Sequence, residues 1–280
     1  MQFRNIMVYL DQGKSNHARV DSALAIASTH GAALTGVAVI AQPSLAILQR
    51  LGVTNAPDLH EKSRADAQQS IDQFQQRAAS AGVEADALRL ECPEGDAPAK
   101  LSRVARVYDL SILRQANPDR DNTAFVARLS EEVMFSSGRP VLYMPYIGAH
   151  QIPFKRGLIA WDGSRSSARA VHDALPLLET MDQVTILVIN SNKMEPSSDG
   201  VMPGEGLSRH LHRHGISSEI QRMERGDSST STLILNELTN TGADLLVMGG
   251  YGTPKLREIM LGGVTRTVLE TMTVPVFMSH

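Results

Sequence analysis

Only one cysteine, Cys92, stands in the 280 residues, so no disulfide can close within the chain. This fits a reducing compartment, with Cys92 read as a partly buried structural thiol. Long apolar runs are missing as well. Ile6–Leu10 stops at Asp11, too short for the apolar centre of a secretion signal. Ala32–Ala41 falls far short of the ~20 residues a membrane helix needs. Neither charge dominates: 27 Lys and Arg stand against 30 Asp and Glu, for a net charge of −3. A global basic footprint for nucleic acid is therefore absent. These absences lead us to expect a cytoplasmic protein with no membrane and no nucleic-acid partner.

Several catalytic signatures are lacking too. No G-x4-G-K-[ST] loop occurs, and no paired carboxylates are placed to hold a metal for phosphoryl transfer. The turn after the candidate strand Leu158–Trp161 reads Asp162-Gly163-Ser164-Arg165, which is not the G-x-G-x-x-G of dinucleotide enzymes. The nine histidines suggest no metal site, since His210, His212 and His214 alternate and should scatter around a helix. No catalytic residue and no metal ligand is assigned.

What is present is a repeat. Arg4-Asn5-Ile6-Met7-Val8-Tyr9-Leu10-Asp11 runs into a Gly/Ser turn and the apolar-periodic Val20–Ala27. Arg156-Gly157-Leu158-Ile159-Ala160-Trp161-Asp162 does the same before Ala170–Leu178. Further on, Glu94-Gly95-Asp96 matches Arg225-Gly226-Asp227, and Pro140-Val141 matches Pro275-Val276. The offset between copies falls from 151 residues at the first Asp to 135 at the closing Pro, so the first copy carries about 16 more residues. The surplus lies in Gln42–Gly82, where Ser63–Ala79 reads as a long polar helix. Tandem duplication explains the pattern, with a junction near Ile147–Pro153.

Strands and helices alternate in each copy. In the second, strands are expected at Leu158–Trp161, Val184–Ile189, Ser218–Met223, Leu245–Met248 and Val276–Met278. Helices are expected at Ser166–Leu178, Glu205–His214, Ser231–Thr241 and Val264–Thr271. The near-continuous apolar strands imply helices on both sheet faces. The fold class is α/β: two tandem doubly wound domains, each a five-stranded parallel sheet of order 3-2-1-4-5. Such sheets bind ligands where strand order reverses, between strands one and four. Asp162 ends strand one, and Gly249 follows strand four.

After strand four, Gly249-Gly250-Tyr251-Gly252 is followed by Gly262-Gly263 and an apolar helical stretch. Glycines let a backbone approach a ligand closely, and a helix N-terminus offers free N–H groups to an anion. The spacing alone would arise by accident in about one chain in eight of this composition; its position opposite Asp162 gives it weight.

These residues make the second copy resemble the universal stress protein family, whose ATP-binding members carry G-x2-G-x9-G-(S/T) after the fourth strand. Gly249, Gly252 and Gly262 fit that pattern, Ile159–Ser164 resembles the family's first-strand aspartate segment, and Val274-Pro275-Val276 its closing strand. The likeness is strong over 156–280 and weak over 1–146. It implies a degenerate universal-stress-like domain at 1–146 and one with a nucleotide site at 154–280. It further implies that Asp162 lies by ribose or adenine and that the Ile189 backbone meets adenine. Gly249 and Gly252 admit the phosphates, and Gly262, Gly263 and Val264 complete the cradle. The ligand implied is ATP or AMP, with Mg²⁺ as an optional companion.

Gly263 stands where the family has Ser or Thr. Losing one hydrogen bond of about 0.5–1.5 kcal/mol weakens binding roughly 2- to 13-fold, and Thr265 is the nearest substitute hydroxyl. The first copy keeps Asp11 but has Arg114-Gln115-Ala116-Asn117 in place of the glycine turn, so one nucleotide site per chain is expected. The function implied is a stress-response module that senses an adenine nucleotide, binding being expected to order Tyr251–Leu261. A nucleotide-free protein-interaction module is the alternative, and a slow ATPase is less favoured. The two halves are expected to pair as a pseudo-dimer, with a homodimer also open and the protein partner unidentified. Lys255 and Arg257 are read either as a solvated face or as phosphate contacts, Trp161 as packing, Asp109 and Asp244 as helix ends, and the methionines as core filler.

Overall fold

A computed structural model describes residues 2–43, 48, 56–119, 123–148, 150–190, 202–250 and 263–280. Gly252, Gly262, Lys255, Arg257 and the rest of Tyr251–Leu261 lie outside the described residues, as does part of Gln42–Gly82. The chain divides into two compact units, Gln2–Val141 and Leu142–His280. The division falls inside a strand, upstream of the expected junction loop.

In the first half the strands are β1 (Asn5–Leu10), β2 (Ala33–Gln42), β3 (Ala85–Pro93), β4 (Leu110–Arg114) and β5 (Val141–Met144). The helices are α1 (Asn16–His30), α2 (Ala56–Ala81), α3 (Ala97–Ala105) and α4 (Thr123–Ser136). In the second half β6 (Arg156–Ala160), β7 (Gln183–Ile189), β8 (Ser218–Met223), β9 (Leu245–Gly249) and β10 (Val276–Ser279) alternate with α5 (Arg165–Leu178), α6 (Glu205–Arg213), α7 (Thr230–Thr241) and α8 (Gly263–Thr271). Strand order is β3-β2-β1-β4-β5 in the first half and β8-β7-β6-β9-β10 in the second. Both are the doubly wound order 3-2-1-4-5, and every pairing of β1 with β2 and β4, and of β6 with β7 and β9, is parallel.

Composition accounts for these elements. β1 and β9 are apolar along nearly their whole length and buried along it, as strands covered on both faces must be; β4 is equally buried but carries Ser111 and Arg114. β3 and β8, last in their sheets, alternate between half-buried and exposed. α1 and α7 both end on a left-handed glycine, Gly31 and Gly242, which only glycine adopts without strain. Ser164 and Ser229 cap α5 and α7, each accepting the N–H three residues on. Helices pack in pairs: α1 on α2, α3 on α4, and α7 on α8. The surplus of the first half is visible in α2, with 26 residues against nine in α6. Phe74 of α2 seats on Gly36 of β2, where even a methyl group would lie 2.7 Å from its ring.

Asp109 and Asp244 do not finish helices, as their position suggested. Each clasps the start of the neighbouring strand. Asp244 accepts the N–H groups of Lys155 (2.8 Å) and Arg156 (2.9 Å), and Asp109 those of Arg4 (2.8 Å) and Asn5 (3.0 Å). The first strand of a sheet begins with unpaired N–H groups, and a carboxylate at the head of the adjacent strand satisfies two at once. Asp244→Ala should therefore lower stability by about 1–3 kcal/mol, read as an earlier urea midpoint with an unchanged m-value. An unchanged midpoint would remove the clasp from the account.

Candidate functional site

The second-half site begins with a turn. After β6, Asp162 Oδ1 accepts the Ser164 N–H at 2.9 Å, and Gly163 between them takes φ 72°. This bond closes an Asx turn that delivers the chain to the Ser164 cap, leaving Asp162 itself exposed. At the exit of β7, Asn190 adopts a left-handed φ of 54°. Its N–H donates to the Met223 carbonyl and its side-chain oxygen accepts the Arg225 N–H, which ties the exits of β7 and β8 together.

Gly249 ends β9 against the first turn of α5. A Cβ there would lie 2.5 Å from the Ser167 nitrogen and 2.7 Å from the Ser166 carbonyl carbon. The glycine is thus demanded by strand-to-helix packing, whatever ligand comes near it. The next N–H, of Gly250, donates to the Ser279 carbonyl of β10 at 2.9 Å, so it serves the sheet. Gly263, by contrast, opens α8 with free space beside it. The first N–H groups of any helix lack intrahelical acceptors, and in α8 the first two belong to Gly263 and Val264.

These parts border one cavity of about 420 Å³ at the switch point, within the roughly 300–1,000 Å³ range usual for small-molecule sites. Asp162, Ile189, Gly249, Gly263, Val264 and Thr265 all line it. They are six of the eight residues singled out from the sequence; the other two, Gly252 and Gly262, lie outside the described residues. The cavity also takes Trp161, Leu187, Asn190, Thr230, Ile234 and Met248, which sequence reasoning missed. Trp161 is half-exposed on the wall of the cavity and not sealed between sheet and helix. Asn190 carried a usable signal, because Asn at a strand exit tolerates left-handed backbone. Thr230 follows the Ser229 cap, and Ile234 sits one turn further along the same helix. The wall is apolar on the side of Trp161, Leu187, Ile189, Ile234 and Met248. It is polar at Asp162, Asn190, Thr230 and the start of α8.

The first half keeps the turn but fills the space. Asp11 Oδ1 accepts the Gly13 N–H at 2.5 Å, as Asp162 does from Ser164. Its other oxygen receives Arg19 Nη2 at 2.8 Å and Arg114 Nη1 at 3.2 Å. Burial pushes the Asp11 carboxyl up, but Arg19, then Arg114 and the Gly13 N–H outweigh it and hold the group below its usual range. Burial in turn lowers Arg19, which Asp11 opposes.

Elsewhere, Cys92 is buried, and burial first, with Asp96 adding and Lys100 opposing, pushes its thiol up. His210 and His214 do not scatter: their rings meet at 4.7 Å on α6. Among the described residues no group of three His, Cys, Asp or Glu is placed to hold a metal ion, and no helix is long and apolar enough to cross a membrane.

The part-apolar, part-polar cleft lies at the switch point, the place where doubly wound α/β sheets carry their ligand sites. The family model described as "Universal stress protein family" matches residues 153–280. The match takes in the second half, and the first half repeats its fold, so the chain is a tandem of two such domains. A universal stress protein from Archaeoglobus fulgidus DSM 4304 superposes with TM-score 0.72 at 18% identity, over 98% of this chain and 94% of its own. A functionally unknown protein from Pseudomonas aeruginosa PAO1 superposes with TM-score 0.60 at 14% identity, over 98% and 92%. At such identities the likeness is one of fold, and it spans both halves. No curated protein matches the sequence.

Two measurements follow from this geometry. Trp161 is the chain's one tryptophan, so a ligand entering the cavity should change its fluorescence in a saturable way. A flat emission spectrum on titration with a ligand shown to bind by calorimetry would place that ligand elsewhere. Asp11 is held below its unfolded value of about 3.9. Its contribution to stability is present above that value and lost as pH falls through the lower folded value. Urea midpoints of wild type and Asp11→Asn, compared from pH 7 downward, should therefore converge in acid; parallel curves would show that Asp11 carries no such linkage.

Proposed function

We propose that the second half binds an adenine nucleotide, ATP or AMP, in this cavity, and that the chain is a cytoplasmic stress-response module for which the nucleotide is a signal. One observation supports this above the others: six residues chosen for a nucleotide site from the sequence border a single cavity of suitable size. The chemistry of the walls suits the parts of the ligand. The apolar side between Trp161, Ile189 and Ile234 accepts a purine. The exposed Asp162 keeps its second oxygen for a ribose hydroxyl or the adenine amine. The N–H groups opening α8 face the phosphates, favoured there by the helix dipole. Thr265 is buried at the cavity wall. Mg²⁺ enters only as a companion of the phosphates.

This reading gives the protein no catalytic residue. Asp162 is the acid at the cavity, and a lone exposed carboxylate already engaged in a turn makes a poor general base for hydrolysis. Calorimetric titration of ATP and AMP into wild type and Gly252→Val tests the assignment. We expect one site per chain in the wild type and at least a tenfold loss in the variant, about 1.4 kcal/mol. Equal affinity in the two proteins would remove the glycine segment from the site. No binding by the wild type would leave a nucleotide-free interaction module as the reading.

A further inference from the structure

Strand register aligns the two switch points residue by residue. Val8 pairs with Ile112 between β1 and β4, and Ile159 pairs with Val247 between β6 and β9. Arg114 therefore stands at the position of Gly249 and Asp11 at that of Asp162. A position with no side chain in the second half thus carries a guanidinium group in the first.

The guanidiniums of Arg19 and Arg114 converge on Asp11, at 2.8 and 3.2 Å. Arg19, 1% exposed, also donates through Nε to the Tyr9 carbonyl at 2.9 Å and through Nη2 to the Asn16 side chain at 2.8 Å. The cluster thus fastens the ends of β1 and β4 to the first turn of α1, the elements that border a switch point. A further change closes the same place from outside. Gln12, at the position of Gly163, donates to the Asp66 carbonyl and to Ser70 Oγ of α2, and Ser70 Oγ donates to the Asp11 carbonyl at 3.2 Å. The lengthened helix of the first half is stitched to the very turn that stays exposed in the second.

We propose that Arg114 decides which half accepts a ligand. Its guanidinium, with that of Arg19, fills the first-half switch point from within, so this half is self-ligated and its order there needs no nucleotide. Both Asp11 oxygens are engaged within the protein, whereas Asp162 uses one oxygen in its turn. The proposal rests on the function above only for the identity of the ligand refused; the self-ligation stands on the first half alone.

Hydrogen–deuterium exchange of the full chain, with and without millimolar ATP, tests it. In the wild type, amides of 9–19 and 110–114 should exchange slowly without nucleotide and be unmoved by ATP. In Arg114→Gly the same amides should exchange about tenfold faster, the equivalent of losing one charge-assisted bond, while β2 and β3 hold their protection. If that variant fails to fold, Arg114→Gln keeps a polar side chain of intermediate length and removes the charge, with the same acceleration expected. Unchanged exchange at these amides in a folded variant overturns the proposal, as does slowing of wild-type exchange there by ATP. Failure of the nucleotide reading would show separately, as no effect of ATP on amides at 160–167, 189–190 and 263–265.

Discussion

In both halves the carboxylate that ends the first strand accepts the N–H two residues on, Asp162 from Ser164 and Asp11 from Gly13. A buried parallel strand cannot pass directly into a helix that packs back over its sheet. The chain must reverse within a few residues while its N–H groups find acceptors. This bond makes the reversal and so sets where α1 and α5 begin. Much else follows from that placement. The start of α5 lies so close to the end of β9 that only glycine fits at 249, and the remaining gap toward α8 becomes the cavity.

The two halves put this frame to opposite uses. In the second, small residues leave the switch point open between an apolar wall and a helix N-terminus. In the first, the same carboxylate is buried and neutralised by two arginines, and α2 is bonded over its turn. A buried carboxylate is tolerable only when paired and hydrogen-bonded, and Asp11 has both kinds of partner. Filling the cleft with charge kept the turn and surrendered the space.

Much of this was legible beforehand because it rests on short-range patterning. The repeat, the alternation of apolar strands with helices and the order 3-2-1-4-5 all follow from run length and punctuation. Asp162 and Gly249 could be brought together by topology alone. What escaped depended on contacts between residues distant in sequence. Nothing local marks Asp109 and Asp244 as clasps, since their partners lie about a hundred residues earlier in one case and nearly ninety in the other. Trp161 looked like packing because its exposure depends on α7 and α8 standing back from it. Arg114 was noted only as standing where a glycine turn was expected, and Arg19 not at all, because two arginines 95 positions apart show no pattern until β1 and β4 are paired.

The Asp11 cluster has a consequence for how the duplicated halves can diverge. Removing Arg114 leaves Arg19 still lodged against Asp11; removing Arg19 leaves the carboxylate with Arg114 and the Gly13 N–H; removing Asp11 leaves two guanidiniums facing each other without an anion. Breaking a buried ion pair from one side alone typically costs about 3–5 kcal/mol, a large share of the stability of any domain. Every single step back toward an open cleft thus passes through a weakened protein. The cluster acts as a ratchet: once set, it makes a filled first-half switch point far easier to keep than to reverse, and leaves the second half as the copy whose switch point is still free to vary.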